Sequence, residues 1–192
     1  YDNIPNFEKI DARFKNLPYD PENKYTVPYS WGTLGIIYNT SMVNGPVTGW
    51  DAMFDPANAG NVLLINNSRD AFGIALMHLG YSVNTTEEAQ MQAYQLIADA
   101  VSAGVYQGKV MDEVFQKMEA GNAAVATYYA GDYLVMLEAN PDLKYVVPEE
   151  GSNWFVDAMC VLKTSQHKEE AEAWINFMAS TDANLRNMDY IW

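Results

Sequence analysis

The chain predicts an α/β fold with a largely parallel sheet, on three observations. Short apolar or β-branched runs alternate with stretches of helical periodicity. One run, Val62-Leu63-Leu64-Ile65, has no polar face, the pattern of a strand covered on both sides. Two strand-loop-helix units also follow one another, and that unit is the repeat from which parallel sheets are built.

Taken in order, the segment through about Tyr25 is punctuated by Pro5, Pro18 and Pro21 and lacks periodicity, so it reads as extended or loop with at most one helical turn. Tyr25 to Tyr29 and Gly35 to Asn39 are β-branched and aromatic, and the stretch Pro28 to Thr33 predicts a break or bulge, hence two strands. Val62 to Ile65 feeds Asn66-Asn67-Ser68-Arg69-Asp70 and then a helix with Ala71, Ile74, Ala75 and Leu79 on its apolar side. Thr85-Thr86-Glu87-Glu88 has capping-box spacing and opens a helix to about Ala103, with Met91, Tyr94, Ile97, Ala98 and Val101 on one face. Asp112 to Glu119 is a shorter helix ended by Gly121. Ala123 to Tyr128 is a strand that runs through Ala130-Gly131-Asp132 into a helix over Tyr133 to Ala139. Leu143 to Val147 and Val156 to Leu162 are further strands, and Gln166 to Ser180 is a helix with the stripe Ala171, Trp174, Ile175 and Met178. In such sheets a ligand lies beyond the carboxyl ends of the strands. Two loops suited to that position carry polar groups, Asn66 to Asp70 and Tyr128 to Asp132.

Charge narrows the partners. With 25 acidic against 11 basic side chains the formal charge is -14, which argues against nucleic acid and anionic membrane surfaces and favours a cationic ligand. Cys160, in the apolar run Ala158 to Leu162, reads as a small buried hydrophobe. No run approaches the roughly 20 apolar residues that span a bilayer, so no membrane insertion by this segment is expected. The start, Tyr1-Asp2-Asn3-Ile4-Pro5, lacks the regions of a signal peptide, so the chain is either intracellular or trimmed. His78 and His167 stand in no zinc spacing, and no nucleophile elbow, Walker loop or dinucleotide fingerprint occurs. Neither a cofactor, a metal nor catalysis is expected.

The most informative local stretch is Asn153-Trp154-Phe155-Val156-Asp157. Aromatic faces attract ammonium groups by roughly 0.5 to 2 kcal/mol, and a carboxylate adds a charge-assisted hydrogen bond, so the combination suits an organic cation. The same residues also fit a buried aromatic strand whose Asp caps a turn.

Several stretches come in the order of a known family: Tyr25 to Thr33, Asn66 to Phe72, Leu79 to Thr85, Pro148-Glu149-Glu150-Gly151 and Phe155-Val156-Asp157. Together they resemble the spermidine/putrescine-binding proteins, the extracytoplasmic solute receptors of polyamine ABC transporters, along essentially the whole chain. The resemblance implies a clam-shell of two α/β lobes with the ligand clamped between them, and a chain lacking the first half of the amino-terminal lobe. Residues 1–40 would be a first-lobe remnant and crossover, 41–142 the second lobe, 143–162 the return crossover and 163–192 a helical part of the first lobe. It further implies a polyamine ligand, permease subunits of the transporter as partners, and a periplasmic or extracellular location, free or lipid-anchored.

Carried over by position, Asp157 matches the carboxylate that receives a polyamine nitrogen, and Phe155 an aromatic wall, often Trp. Asp70 matches an acidic position, commonly Glu, for another nitrogen, and Tyr129 an aromatic that stacks on the aliphatic ligand. Asn67 departs from the family member compared most directly, which has an Asp there; an amide accepts a hydrogen bond but brings no charge, which implies a change in affinity or in the choice between diamine and triamine. Each residue has a plainer role beside this one. A carboxylate at Asp70 gains from the helix dipole in any case, Asn67 suits a helix cap, and Tyr129 suits a core. Trp154 should point to the opposite strand face from Phe155, with one of the two packed inside. Trp31 and Thr33 are candidates to shape the pocket, and Asp132 either lines it or caps a helix. The rivals are a ferric-ion receptor using Tyr128-Tyr129, and a lobe unable to bind alone.

Overall fold

The computed structural model describes residues 2–191; Tyr1 and Trp192, which close the expected first and last segments, lie outside the described residues. Two compact units are present. One comprises Thr33–Trp154, the other Tyr1–Gly32 with Phe155–Trp192.

The larger unit is built on strands β1 (Val27–Asn39) from Thr33 onward, β2 (Val62–Ile65), β3 (Tyr106–Val110), β4 (Val125–Tyr129) and β5 (Leu143–Val146), in the order β3-β2-β4-β1-β5. β2 runs parallel to β3 and to β4, with Val62 opposite Val125 and Leu63 opposite Ala126. β1 alone runs against its neighbours, pairing Leu34 with Tyr129 and Ile37 with Tyr145. The sheet is therefore mostly parallel, with one reversed strand inside it. Every residue of β2 is buried, as its unbroken apolar run requires of a strand flanked on both sides.

Helices α1 (Ser68–His78), α2 (Glu87–Ser102), α3 (Glu113–Glu119) and α4 (Ala130–Ala139) connect the strands. Asn67 caps α1 by accepting from the Arg69 amide at 3.0 Å, and the Thr86 hydroxyl caps α2 by accepting from Ala89. α2 and α3 end in the same way. After α2, Gly104 donates to the Val101 carbonyl and Val105 to that of Ala100; after α3, Gly121 donates to Met118 and Asn122 to Lys117. These are paired Schellman bonds, which need positive φ at the glycine, here +71° and +67°. Each turns the chain directly into the next strand.

Several elements differ from the sequence expectation. β1 is one continuous strand of 13 residues. Pro28 is only its second residue, where a missing amide is tolerated, and Gly32 continues the strand beneath a ring that a Cβ would strike, Phe155 Cζ lying 2.6 Å away. The opening contains two short 3-10 turns, Pro5–Lys9 and Ala12–Phe14. β3 has no apolar signature, since Gln107, Gly108 and Lys109 make up its middle on the edge of the sheet. On α2, Met91, Tyr94 and Val101 are exposed, and the buried residues are Ala89, Ala93 and Ala100. Small side chains let α2 close onto α1, where Ala75 and Leu76 meet Ala89 and Ala93; periodicity of large residues does not report that kind of contact.

The smaller unit holds the start of β1, Val27–Gly32, and β6 (Trp154–Met159) from Phe155 onward, and α5 (Lys168–Met178) and α6 (Thr181–Ile191) follow. The expected single helix to Ser180 is thus joined by a second. Ile4, Val27 and Ile175 form a small core, and Asn6 donates two hydrogen bonds to Asn176, from its amide to Oδ1 at 2.9 Å and from its side chain to the carbonyl at 2.8 Å. That contact orients Ile175 inward and leaves Trp174 61 % exposed, against the expected stripe. Cys160 is exposed, not buried, because it lies just beyond the end of β6.

Asp20 organises the turn before β1. It is buried and accepts from the amides of Lys24, Tyr25 and Thr26 and from the Thr26 hydroxyl. Burial opposes its charge, but these four donors outweigh that and hold the carboxyl below its usual 3.8. A depressed folded value stabilises the fold above the unfolded value, and the contribution is lost as pH falls below 3.8 through the folded value. Asp20→Asn should therefore lower the melting temperature at neutral pH and flatten its fall on the acid side. Thermal unfolding from about pH 7 to about pH 2 checks this, and an unchanged acid limb would contradict it.

Candidate ligand-binding site

Because β2 and β4 are parallel neighbours, the loops leaving their carboxyl ends emerge at one edge of the sheet. The first loop leads to Asn67 and Asp70, the second to Tyr129 and Asp132. Reversed β1 reaches the same edge at Leu34, opposite Tyr129, and the Leu34 amide donates to the Asn153 carbonyl at 3.0 Å. β3 ends there as well, shortly before Asp112.

Asp70 lies at the centre of this cluster. It sits in the first turn of α1 and is 6 % exposed. Its two oxygens accept from two different segments: Asn153 Nδ2 donates to Oδ1 at 3.0 Å, and the Tyr129 hydroxyl donates to Oδ2 at 3.1 Å. Burial, then the charge of Asp70, pushes the Tyr129 phenol up to about 12, so it keeps its proton for Asp70 at neutral pH. Asp132, half-buried in the first turn of α4, is raised by burial and by the charge of Asp112, partly offset by its own amide. It does not cap α4; Tyr129 holds the cap position. A cavity of about 660 Å³ adjoins the cluster, lined by Asp70, Phe72, Leu76, Met77, Val83 and Asn153 among others.

Asn67, Asp70, Tyr129 and Asp132 are thus gathered within the larger unit. Phe155 and Asp157 belong to the smaller one. Two residues apart on β6, they share a face of that strand, with Asp157 exposed and the Phe155 ring lying over Gly32. Trp31 is 48 % exposed and packs against Phe14 in a tilted ring pair, centroids 5.8 Å apart. Trp154 is 47 % exposed and Phe155 half-buried, so neither is a core residue.

The tyrosine pair is divided. Tyr128 donates to Asp112 at 3.0 Å while Tyr129 donates to Asp70, and burial raises both phenols. Adjacent phenols committed to different carboxylates are poorly placed to become two oxygen ligands of one ferric ion. Among the described residues no group of three or more His, Cys, Asp and Glu is arranged to hold a metal.

Sequence reasoning overlooked two members of the cluster. Asp112 follows β3, the strand without an apolar signature. Asn153 stood inside the aromatic stretch already singled out, but a lone amide beside two large rings carries no chemical signal of its own.

The profile of the family described as bacterial extracellular solute-binding protein matches residues 1–186. The chain belongs to that family. Among relatives, it is 30 % identical over 180 residues to the spermidine/putrescine-binding periplasmic protein of Escherichia coli, covering 93 % of this chain and 51 % of that protein. Among solved structures, it is similar to a putative spermidine/putrescine ABC transporter protein from Listeria monocytogenes, with a TM-score of 0.89 and 39 % identity over 99 % of this chain and 59 % of the other. The spermidine/putrescine ABC transporter substrate-binding protein of Streptococcus pneumoniae gives a TM-score of 0.84 and 34 % identity over 100 % and 59 %. The chain spans about half the length of the curated relatives it matches. The relatives are named as solute-binding proteins and transporter components, and among the described residues no helix is long and apolar enough to cross a membrane.

Proposed function

We propose that the protein is an extracytoplasmic receptor for a polyamine, spermidine or putrescine, which it delivers to the permease subunits of an ABC transporter without chemical change. The observation that carries this reading is a carboxylate paired with an aromatic ring in each unit: Asp157 with Phe155 on one face of β6, and Asp70 with Tyr129 at the sheet edge. Each carboxylate suits a protonated nitrogen, and each ring suits the methylenes and the cation face beside it. Asp132 adds acidic character to the second set. The names of the relatives and the charge of -14 point the same way. Asn67 brings no charge, so the second set attracts cations less than a family member with Asp there, which favours ligands with fewer nitrogens.

Isothermal titration calorimetry tests the reading, on this chain and on the complete gene product that carries it. Putrescine and spermidine should bind saturably and more weakly as salt is raised, and 1,4-butanediol, with the same carbon spacing as putrescine and no charge, should not bind. Failure of both amines to bind the complete gene product would overturn it.

A further inference from the structure

Asn153 is held more firmly than a loop residue needs to be. Its carbonyl accepts the Leu34 amide at 3.0 Å, and the hydroxyl of Ser152 donates to the Leu34 carbonyl. The turn before it is tied down as well, with the Trp50 indole donating to the Gly151 carbonyl at 2.9 Å and the Glu149 amide to Thr48 at 2.9 Å. From this fixed backbone the side-chain amide crosses to a helix start 83 residues earlier in the chain and donates to Asp70 Oδ1 at 3.0 Å.

The lone pairs of Asp70 show the effect of this bond. A carboxylate offers about four acceptor directions, two per oxygen. Asn153 takes one on Oδ1 and Tyr129 one on Oδ2, so each oxygen keeps one for a third donor. Both protein donors are neutral and leave the full negative charge in place. Among the described residues, none of the ion pairs formed by lysine, arginine or histidine involves Asp70. A lysine at position 153 would cancel that charge and compete with a cationic ligand, and an aspartate there would repel Asp70. An amide fixes the rotamer without doing either.

We infer that Asn153 is a positioning residue, which orients the Asp70 carboxylate toward a ligand ammonium and acts on binding only through Asp70. The inference rests on the polyamine reading of this site.

A double-mutant cycle on the complete gene product tests it, with putrescine and spermidine as probes and calorimetry as readout. Asn153→Leu keeps the volume and removes the donor. It should weaken binding by about 5- to 15-fold, the size of one lost hydrogen bond, with a melting temperature showing that the protein remains folded. In an Asp70→Ala background the same substitution should cause no further loss. Equal losses in both backgrounds would mean that Asn153 merely shapes the fold, and wild-type affinity in Asn153→Leu would mean that it does nothing; either overturns the inference. A ligand-free signal separates this from failure of the polyamine reading. The side-chain amide resonances of Asn153 should move in Asp70→Ala. If the wild-type protein binds neither amine but those resonances move, the ligand class is wrong and the hold on Asp70 stands; resonances that stay put overturn the inference whatever the ligand.

Discussion

Asp157→Asn is expected to weaken putrescine and spermidine binding by about 10- to 100-fold, because a hydrogen bond to a charged group contributes about 1.5 to 3 kcal/mol. The substitution keeps the shape of the side chain and its place beside Phe155 on β6 and removes only the charge. Asp157 is exposed, so stability should change by no more than about 0.5 kcal/mol, and the loss is attributable to the ligand. Two companions refine the result. Asp157→Glu restores the charge one methylene farther out and should recover part of the affinity. Phe155→Ala keeps the carboxylate but removes the ring, and should cost about 0.5 to 2 kcal/mol for each cation face lost. Calorimetric titration of the three variants against the parent is the check. Unchanged affinity in Asp157→Asn would remove Asp157 from the site and leave the larger unit as the place to look.

Trp50→Ala is expected to have the largest effect on stability, about 3 to 5 kcal/mol, the range for deleting a fully buried aromatic side chain. Trp50 has no exposed surface and belongs to the main core. Its indole N–H donates to the Gly151 carbonyl at 2.9 Å, and its amide donates to Glu150 Oε1 at 3.0 Å. The alanine variant therefore opens a cavity and also frees the turn that precedes Asn153. Trp50→Phe separates these effects, since it keeps most of the packing and removes the indole donor; it should cost about 1 kcal/mol more than its volume change alone. Urea unfolding gives the free energies, and the Asn153 side-chain amide resonances report whether the turn has moved. A loss below about 1 kcal/mol in Trp50→Ala would show that this turn is not anchored by the core.

How far the site could be read from residues alone differed from one element to the next. The two polar loops after Val62–Ile65 and Val125–Tyr129 were legible because each follows an apolar run of strand length bounded by polar or turn residues, and the loop leaving such a strand in an α/β unit lies at the carboxyl edge. Asn67 was legible as a cap too, since it acts on an amide two residues away, but the capping box expected over Thr85 to Glu88 does not form, because Thr86 holds the cap position and accepts from Ala89. The other failures have a common cause. Tyr106–Val110 is a strand because β2 offers it an edge, and α2 buries alanines because α1 lies close enough to need them. Trp174 turns outward because Asn176 meets Asn6, 170 positions away. None of these partners is near in sequence.

The sequence by itself determined the α/β class, the order of most elements, the strong negative charge and, through motif order, the family. These rest on composition and on interactions within a turn or two of the chain. Only the tertiary structure decided that β1 is a single reversed strand amid parallel ones, that Tyr128 and Tyr129 serve different carboxylates, and that Asn153 holds Asp70. Each of those depends on which distant segments the sheet brings to one edge, and hydrogen bonds across 59 and 83 residues are set by that topology rather than by any local pattern.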